Sequence, residues 1–466
     1  MSTESEILYG GVTRIDDAII EQAQAPLRRR RRVYRRWMAP AAAVLAVAIL
    51  LSALLSSRFV FSVYAVERPV YPKYDTRNSF APNSGVGGFV RASVPVFLSG
   101  KPGENRIYSP LNIYMALAMT AEITAGESRA QIMSVLGEED LEALREQARE
   151  LWKQNYRDGE GGRSVSAVSL WMDDSIRYER DTLKLLAENY YASSFSGRMG
   201  SSGFDKALQA WLDSQTHGML AGQASAESTR SRTEADVLTL AATIYFNGKW
   251  NSKFEKSNTA EQVFHMPEGD VICDFMHQQL TNGIYYWFDS FSAVPQSFTG
   301  DAVMWYILPD EGVTPEELLQ DPQLLAFLSA EDRMNAAKYS HNSQYLRINL
   351  SVPKFDVDEE MEMTEGLRAM GITDIFDYTV SDFTPLTRDP WIGEKGVWLS
   401  EAKQATRVLI DEQGCEAATY IKFQYGAGVG ALPKDEVDFV LDRPFLFAVT
   451  VGTDCLPLFV GIVNRP

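Results

Sequence analysis

Apolar residues recur along most of this chain at spacings of three and four, or alternate with polar ones, but one stretch follows neither pattern. From Trp37 to Ser57, twenty-one successive residues carry no charge and are dominated by Ala, Leu, Val and Ile. As a helix rising about 1.5 Å per residue they would span about 31 Å, close to the hydrocarbon thickness of a bilayer. Arg28–Arg32, Arg35 and Arg36 precede this stretch and Arg58 ends it. A basic flank of this kind keeps the amino-terminal end in the cytoplasm. The pattern therefore predicts a cytoplasmic leader over 1–36, a single transmembrane anchor over 37–57 and an extracytoplasmic remainder. A cleaved signal peptide, cut near Val63-Tyr64-Ala65, is the alternative and would give a secreted protein. The long leader, and an apolar run exceeding the roughly 7–15 residues of a signal core, favour the anchor. Residues 58–85 contain Pro69, Pro72 and Pro82 with little periodicity, and are expected to be a linker.

Beyond the linker the helical and strand periods are mixed. Asn112–Thr124, Arg129–Leu136, Asp181–Tyr191 and Asp205–His217 place apolar residues at helical spacing. Val237–Phe246, Val303–Leu308, Leu346–Val352, Phe445–Val451 and Leu458–Val463 are strand-like. Helices crowd the first half and strands the carboxyl end, which argues for an α+β fold with mainly antiparallel sheets. No repeat or second linker interrupts 86–466, so that range is expected to be one large domain with at least two sheets.

Charge and chemistry then narrow the function. The chain has 62 acidic and 44 basic residues, a net charge of −18. Residues 1–57 contribute eight Arg and five acids, or +3, so the remainder carries −21. An acidic exterior repels phosphate backbones, and nucleic acid is not an expected partner. Cys273, Cys415 and Cys455 are too few for a disulfide framework. The four histidines, His217, His265, His277 and His341, form no metal-binding spacing, and no nucleophile elbow or P-loop is present. The glycines of Gly426-Ala427-Gly428-Val429-Gly430 lack a following Lys and Ser/Thr and suit an exposed loop. No metal or cofactor is expected, and nothing points to an enzyme.

Several segments, in order, resemble the serpin family. They are Ser109-Pro110-Leu111-Asn112-Ile113 with Gly126 and Gln131; Ile244 to Trp250, followed by Phe254, Asn258, Thr259, Phe264 and His265; Val352-Pro353-Lys354-Phe355; Met370-Gly371-Ile372; and Asp382-Phe383. Asp411-Glu412-Gln413-Gly414-Cys415 and the residues after it are similar to the family's loop hinge. Arg443-Pro444-Phe445 and Pro457-Leu458-Phe459 are similar to its carboxyl-terminal signature. The resemblance implies three β-sheets, eight or nine helices and an exposed reactive loop. It also implies a suicide-substrate inhibitor of serine proteases that supplies no catalytic residue of its own. The expected partner is the target protease, in a covalent complex, and the expected state is a monomer. The alternative function is a non-inhibitory serpin acting as a carrier or binding module.

Loop insertion sets residue requirements. The hinge covers Glu412, Gly414, Cys415, Glu416, Ala417, Ala418 and Thr419, with Gly414 as pivot. Counting from Cys415, strand alternation turns Cys415, Ala417, Thr419 and Ile421 inward and Glu416, Ala418, Tyr420 and Lys422 outward. The inward set is uncharged, as an inserting strand requires. Cys415 and Tyr420 depart from the family's usual Thr and Ala. The expected gate comprises Ser109, Ala242, Trp250 and Gln404. Gln404 stands where His is usual and Ala242 where Asn is common. Counting seventeen residues from Glu412 places the scissile bond between Gly428 and Val429. Ala427 and Tyr425 are alternative reactive residues. The small residues there suit the narrow pocket of an elastase- or subtilisin-like protease.

Overall fold

The computed structural model describes residues 63–72, 84–159, 162–216, 237–329, 342–388, 391–392, 395–415, 433–451 and 456–466, all within the unit Phe61–Pro466. The leader and apolar stretch 1–57 lie outside the described residues, as do 416–432. Among the described residues no helix is long and apolar enough to cross a membrane.

The chain begins with β1 (Tyr64–Glu67), α1 (Ser84–Leu98), β2 (Arg106–Tyr108), α2 (Pro110–Ile123), α3 (Gly126–Leu136) and α4 (Leu141–Asn155). It continues through β3 (Arg157–Gly159), β4 (Gly162–Asp173), α5 (Arg180–Asn189), β5 (Ser193–Gly197), α6 (Ser202–Gln215) and β6 (Leu238–Lys249). Then come β7 (Thr259–Met266), β8 (Gly269–Trp287), β9 (Phe291–Ser297), β10 (Ala302–Pro309), α7 (Pro315–Leu318) and α8 (Pro322–Leu328). After these follow β11 (Ser343–Pro353), β12 (Phe355–Glu362), α9 (Thr364–Ala369), the ribbon β13 (Trp391–Ile392) with β14 (Lys395–Gly396), and β15 (Leu399–Asp411). The last strands are β16 (Gly414–Cys415), β17 (Glu436–Val440), β18 (Phe445–Val451) and β19 (Pro457–Val463).

The four helices and five strands read from periodicity all form, within a few residues at their ends. Others had no simple pattern. β15 carries Glu401, Lys403 and Arg407 on one face, and its apolar alternation is broken by Gln404 and Thr406. Its charges are satisfied locally: Lys403 bridges Glu401 and Glu360, and Arg407 bridges Asp356 on β12.

The first sheet has the order β1-β5-β4-β6-β16-β15-β12, with β3 paired to β4. Where the resemblance implies three sheets, the described residues form two large ones and a two-stranded ribbon. The second large sheet, β17-β11-β8-β9-β10-β18-β19-β2 with β7, is continuous because β8 is nineteen residues long. That length lets β8 pair with β7, β11 and β9 at different points along its course, so what would be two sheets is hydrogen-bonded as one.

α2 is buried along its whole length and so shows no amphipathic period. It lies beneath the first sheet and is packed by α1, α3, α4 and α5. On the sheet's opposite face α6 lays Phe204, Leu208 and Trp211 onto Trp171, Phe195, Ala167, Ala241 and Ala405. The Trp171 and Phe195 rings stack at 4.2 Å. Ser201 caps α6 by accepting a hydrogen bond from Phe204 N.

The expected linker over 58–85 is only partly a linker. Residues 64–67 form β1 on the edge of the first sheet, and α1 starts at Ser84, slightly before the expected boundary.

A buried ion pair locks three elements at the far end of the first sheet. Arg106 Nε donates to Glu359 Oε1 at 2.7 Å, Arg106 Nη2 donates to Phe97 O at 2.8 Å, and Ile107 N donates to Glu359 Oε2 at 3.1 Å. Removing one member strands the other charge. Glu359→Ala should therefore destabilise the domain by about 3–5 kcal/mol, while the Arg106→Met/Glu359→Leu double variant should lose less. Urea unfolding of both variants checks this; a double variant worse than the single would refute it.

Candidate functional site

The site is built where β15 ends. Asp411 Oδ1 accepts hydrogen bonds from Gln413 N at 2.7 Å and Gly414 N at 3.2 Å. This side-chain-closed turn reverses the chain in two residues. The chain therefore returns antiparallel to β15, with Ile410 opposite Cys415 and Asp411 opposite Gly414. On its other side the same two-residue strand pairs with β6, Gly414 opposite Lys249 and Cys415 opposite Gly248. β16 is thus seated between β6 and β15.

Below it the two long strands pair directly and in parallel, from Leu238–Leu399 to Ile244–Thr406. Their seam is closed below and wedged open at the top. Gly414 has φ of +137°, and a Cβ there would lie 2.1 Å from Gly248 O. No side chain fits, so glycine is required both for the turn and for the close approach to β6.

Five further contacts hold the turn. Trp250 Nε1 donates to Asp411 O at 2.9 Å, and Trp250 N donates to Gln413 O at 3.1 Å. The Trp250 ring stacks on Phe298 at 4.2 Å, which fixes the donor's direction. Lys253 Nζ donates to Gln413 Oε1 at 3.0 Å. Glu412 is buried and is held by Thr259 Oγ1 at 2.8 Å and Lys354 Nζ at 2.9 Å, while Lys354 also meets Asp274 at 3.2 Å. Burial alone would raise the Glu412 pKa; the hydrogen bonds from Lys354, its own backbone N–H and Thr259 outweigh it and hold the carboxyl low. The hydrogen bond to Glu412 raises the Lys354 pKa, against the opposing effect of burial.

The gate lies lower on the same seam. Gln404, on the buried face of β15 and level with Ala242 on β6, reaches the amino-terminal end of α2. Its Oε1 accepts from Ser109 N at 2.8 Å, and its Nε2 donates to Ser109 O at 2.9 Å. Nε2 also approaches Asn112 Oδ1 at 3.4 Å, and Asn112 Nδ2 donates to Thr243 O and Ser166 Oγ. Gln404 and Asn112 together therefore tie the helix beneath the sheet to both sides of the seam. Ala242 adds only its small volume, which leaves room for the Gln404 amide. Trp250, grouped with the gate from sequence, belongs with the hinge.

Of the hinge residues, Glu412 and Gly414 are described, and Cys415 is described by its strand pairing. Glu416, Ala417, Ala418, Thr419, Tyr425, Ala427, Gly428 and Val429 lie outside the described residues. Sequence reasoning placed Asp411 and Gln413 in the hinge-like segment without a contact of their own, and gave Lys354 and Thr259 no part in the hinge. Asp followed three residues later by Gly was a legible turn signal for Asp411. Lys354 and Thr259 come from remote strands, and no local signal could have joined them to Glu412.

With this geometry in view, comparison with known proteins is decisive about the class. A family model described as Serpin (serine protease inhibitor) matches residues 95–466. The chain belongs to the serpin family. It is 27% identical over 379 residues to Serpin-ZX of Arabidopsis thaliana, covering 78% of this chain and 92% of that protein. It is 26% identical over 377 residues to plasminogen activator inhibitor 1 of Neovison vison, covering 78% and 87%. Among solved structures, the thermophilic serpin tengpin in its native state aligns with a TM-score of 0.69 at 23% identity, over 87% of this chain and all of that one. Arabidopsis AtSerpin1 in its native stressed conformation gives 0.69 at 23% identity, over 83% of this chain and all of its own. These two likenesses concern the fold.

Two outcomes test the hinge. Gly414→Ala should expel β16, because the positive φ costs about 1–2 kcal/mol before the clash with Gly248 O is counted. Hydrogen exchange at Gly248 and Cys415 should rise; unchanged protection would refute the assignment. Acid should release the same turn. Glu412 has its pKa lowered by folding, so its contribution is present above its unfolded value of about 4.3 and is lost as pH falls through the folded value. Lys354 has its pKa raised, so its contribution is present below its unfolded value of about 10.4 and is lost as pH rises through the folded value. Hinge exchange followed against pH should show the acid transition in the wild type and a weakened one in Glu412→Gln.

Proposed function

We propose that this chain is an extracytoplasmic suicide-substrate inhibitor of serine proteases, held to the membrane by Trp37–Ser57. The observation that carries the reading is β16, the first two residues of the loop already seated between two parallel strands. A chain continuing from Cys415 along that path would run antiparallel to both β6 and β15, and each neighbour would gain a ladder of hydrogen bonds. Family membership supports the same reading, and so does the uncharged inward set beyond Cys415.

The mechanism then needs only a cut. The protease's serine Oγ attacks the Gly428 carbonyl, the Gly428–Val429 bond breaks, and the Val429 nitrogen leaves as an amine with the proton relayed by the protease's own base. Gly428 remains as an acyl ester on the enzyme. Residues 415–428, fourteen at roughly 3.3 Å each, then insert and carry the ester about 45 Å along the sheet. The small residues Ala427, Gly428 and Val429 favour an elastase- or subtilisin-like protease, whose specificity pocket is shallow. The uncharged run and its arginine flank support a serpin domain outside the cytoplasm.

Mixing the protein with elastase-, subtilisin- and trypsin-like proteases checks the proposal. The expected result is an SDS-stable adduct with the first two and a cut after Gly428 by mass spectrometry, accompanied by a large rise in melting temperature of loop-cleaved protein. Cleavage without adduct and without a rise would favour a binding module instead.

A further inference from the structure

Residues 63–72 precede the region matched by the family model, yet they are built into the sheet that insertion must widen. β1 pairs antiparallel with the edge strand β5, Tyr64 opposite Ser196, Ala65 opposite Phe195 and Glu67 opposite Ser194. Val63 and Ala65 pack into the aromatic cluster beneath α6, while Val66 packs against the main core. Four residues after β1 ends, Tyr71 enters a cage of aromatic rings: Trp152 at 5.1 Å, Tyr156 at 5.7 Å and Tyr191 at 6.3 Å between centroids. Tyr191 is the single described non-glycine residue with positive φ, +52°, and its ring stacks on Trp152 at 3.8 Å. A backbone conformation this costly persists where packing over-determines it.

One short segment is thus fastened at its start to the strands and at its end to the helix layer. Trp152 lies in α4, which is bound to α2 through the bidentate Arg145–Glu122 pair, Nε to Oε1 at 2.6 Å and Nη2 to Oε2 at 3.0 Å. Admitting a strand between β6 and β15 widens the sheet by about 4.8 Å, so that β1-β5-β4-β6 must shift relative to β15-β12 and to the helices below. A segment tied to both layers resists that shift.

We propose that residues 63–72 are a strap that restrains opening of the first sheet, and that releasing it speeds insertion of the loop. The inference rests on the insertion reading above. Trimming the chain before residue 63 would leave the strap intact. Cleavage at the signal-like site after Ala65 would cut β1 in two and shed its first half.

The test uses the full chain in detergent micelles, comparing wild type with Tyr71→Ala, Tyr71→Phe and Gly197→Ala. A Cβ at Gly197 would lie 2.7 Å from Val63 Cγ2 and 3.1 Å from Val63 Cα, so this change pushes β1 away without altering the strap. The uncleaved proteins are incubated and followed for loss of adduct formation together with gain of heat resistance, the signature of spontaneous insertion. Tyr71→Ala and Gly197→Ala should convert about ten-fold faster, equivalent to about 1.4 kcal/mol of barrier, and Tyr71→Phe at the wild-type rate. Unchanged conversion rates, in a wild type that gains heat resistance when its loop is cut, would overturn the strap alone. Equal loss of heat stability in uncleaved and loop-cleaved forms, without faster conversion, would also overturn it. A wild type that gains no heat resistance on loop cleavage would overturn the insertion reading and the strap together.

Discussion

The structure turns on a parallel seam between β6 and β15. Parallel pairs bond at a slant and are slightly weaker per residue than antiparallel ones. Because the chain leaves β15 through a two-residue turn, Gly414 and Cys415 run antiparallel to β15 and to β6 as well. On the insertion reading proposed above, one parallel pairing would be replaced by two antiparallel ones, a downhill exchange once the cost of separating the strands is met. Most of the fastenings described above lie on or beside this seam, and β1 adds another at the sheet's outer edge.

Those fastenings differ in kind. At the top, Gly414 lets two backbones approach so closely that no other residue fits, and Trp250, Lys253 and Lys354 hold the turn by hydrogen bonds and charge. Midway, Gln404 spends both halves of its amide on the backbone of Ser109. A buried amide with both ends satisfied is costly to pull apart, since each freed group would be left without water. Gln can make this bridge because it presents donor and acceptor at once. At the sheet's outer edge, β1 adds hydrogen bonds and an aromatic seat. Polar bonding, charge and apolar packing thus act at different heights of one mechanical element.

Legibility from sequence followed locality. The strands of the carboxyl end were visible because both faces are buried and their apolar runs are continuous, as in Phe445–Val451. α2 was visible through its apolar spacing although its complete burial removes any polar face. β15 was not, because its charges are neutralised by β12, a strand some forty residues away. β1 was hidden by the prolines around it: a short strand that borrows its partner, β5, from more than a hundred residues downstream has no pattern of its own. That Trp250 bonds the turn after β15 was hidden for the same reason, since which end of β6 meets which end of β15 is a matter of register.

By itself the sequence determined the class of fold, the apolar periods of its helices and strands, and the glycine at 414 that the turn requires. Each of these depends on residue type and spacing along one segment. Only the tertiary structure decided that Lys354 and Thr259 meet Glu412, that Gln404 bonds Ser109, that β8 fuses two sheets, and that residues 63–72 are structural. Each joins groups distant in the chain, and the energy of such a contact exists only after the strands have paired and excluded water from between them.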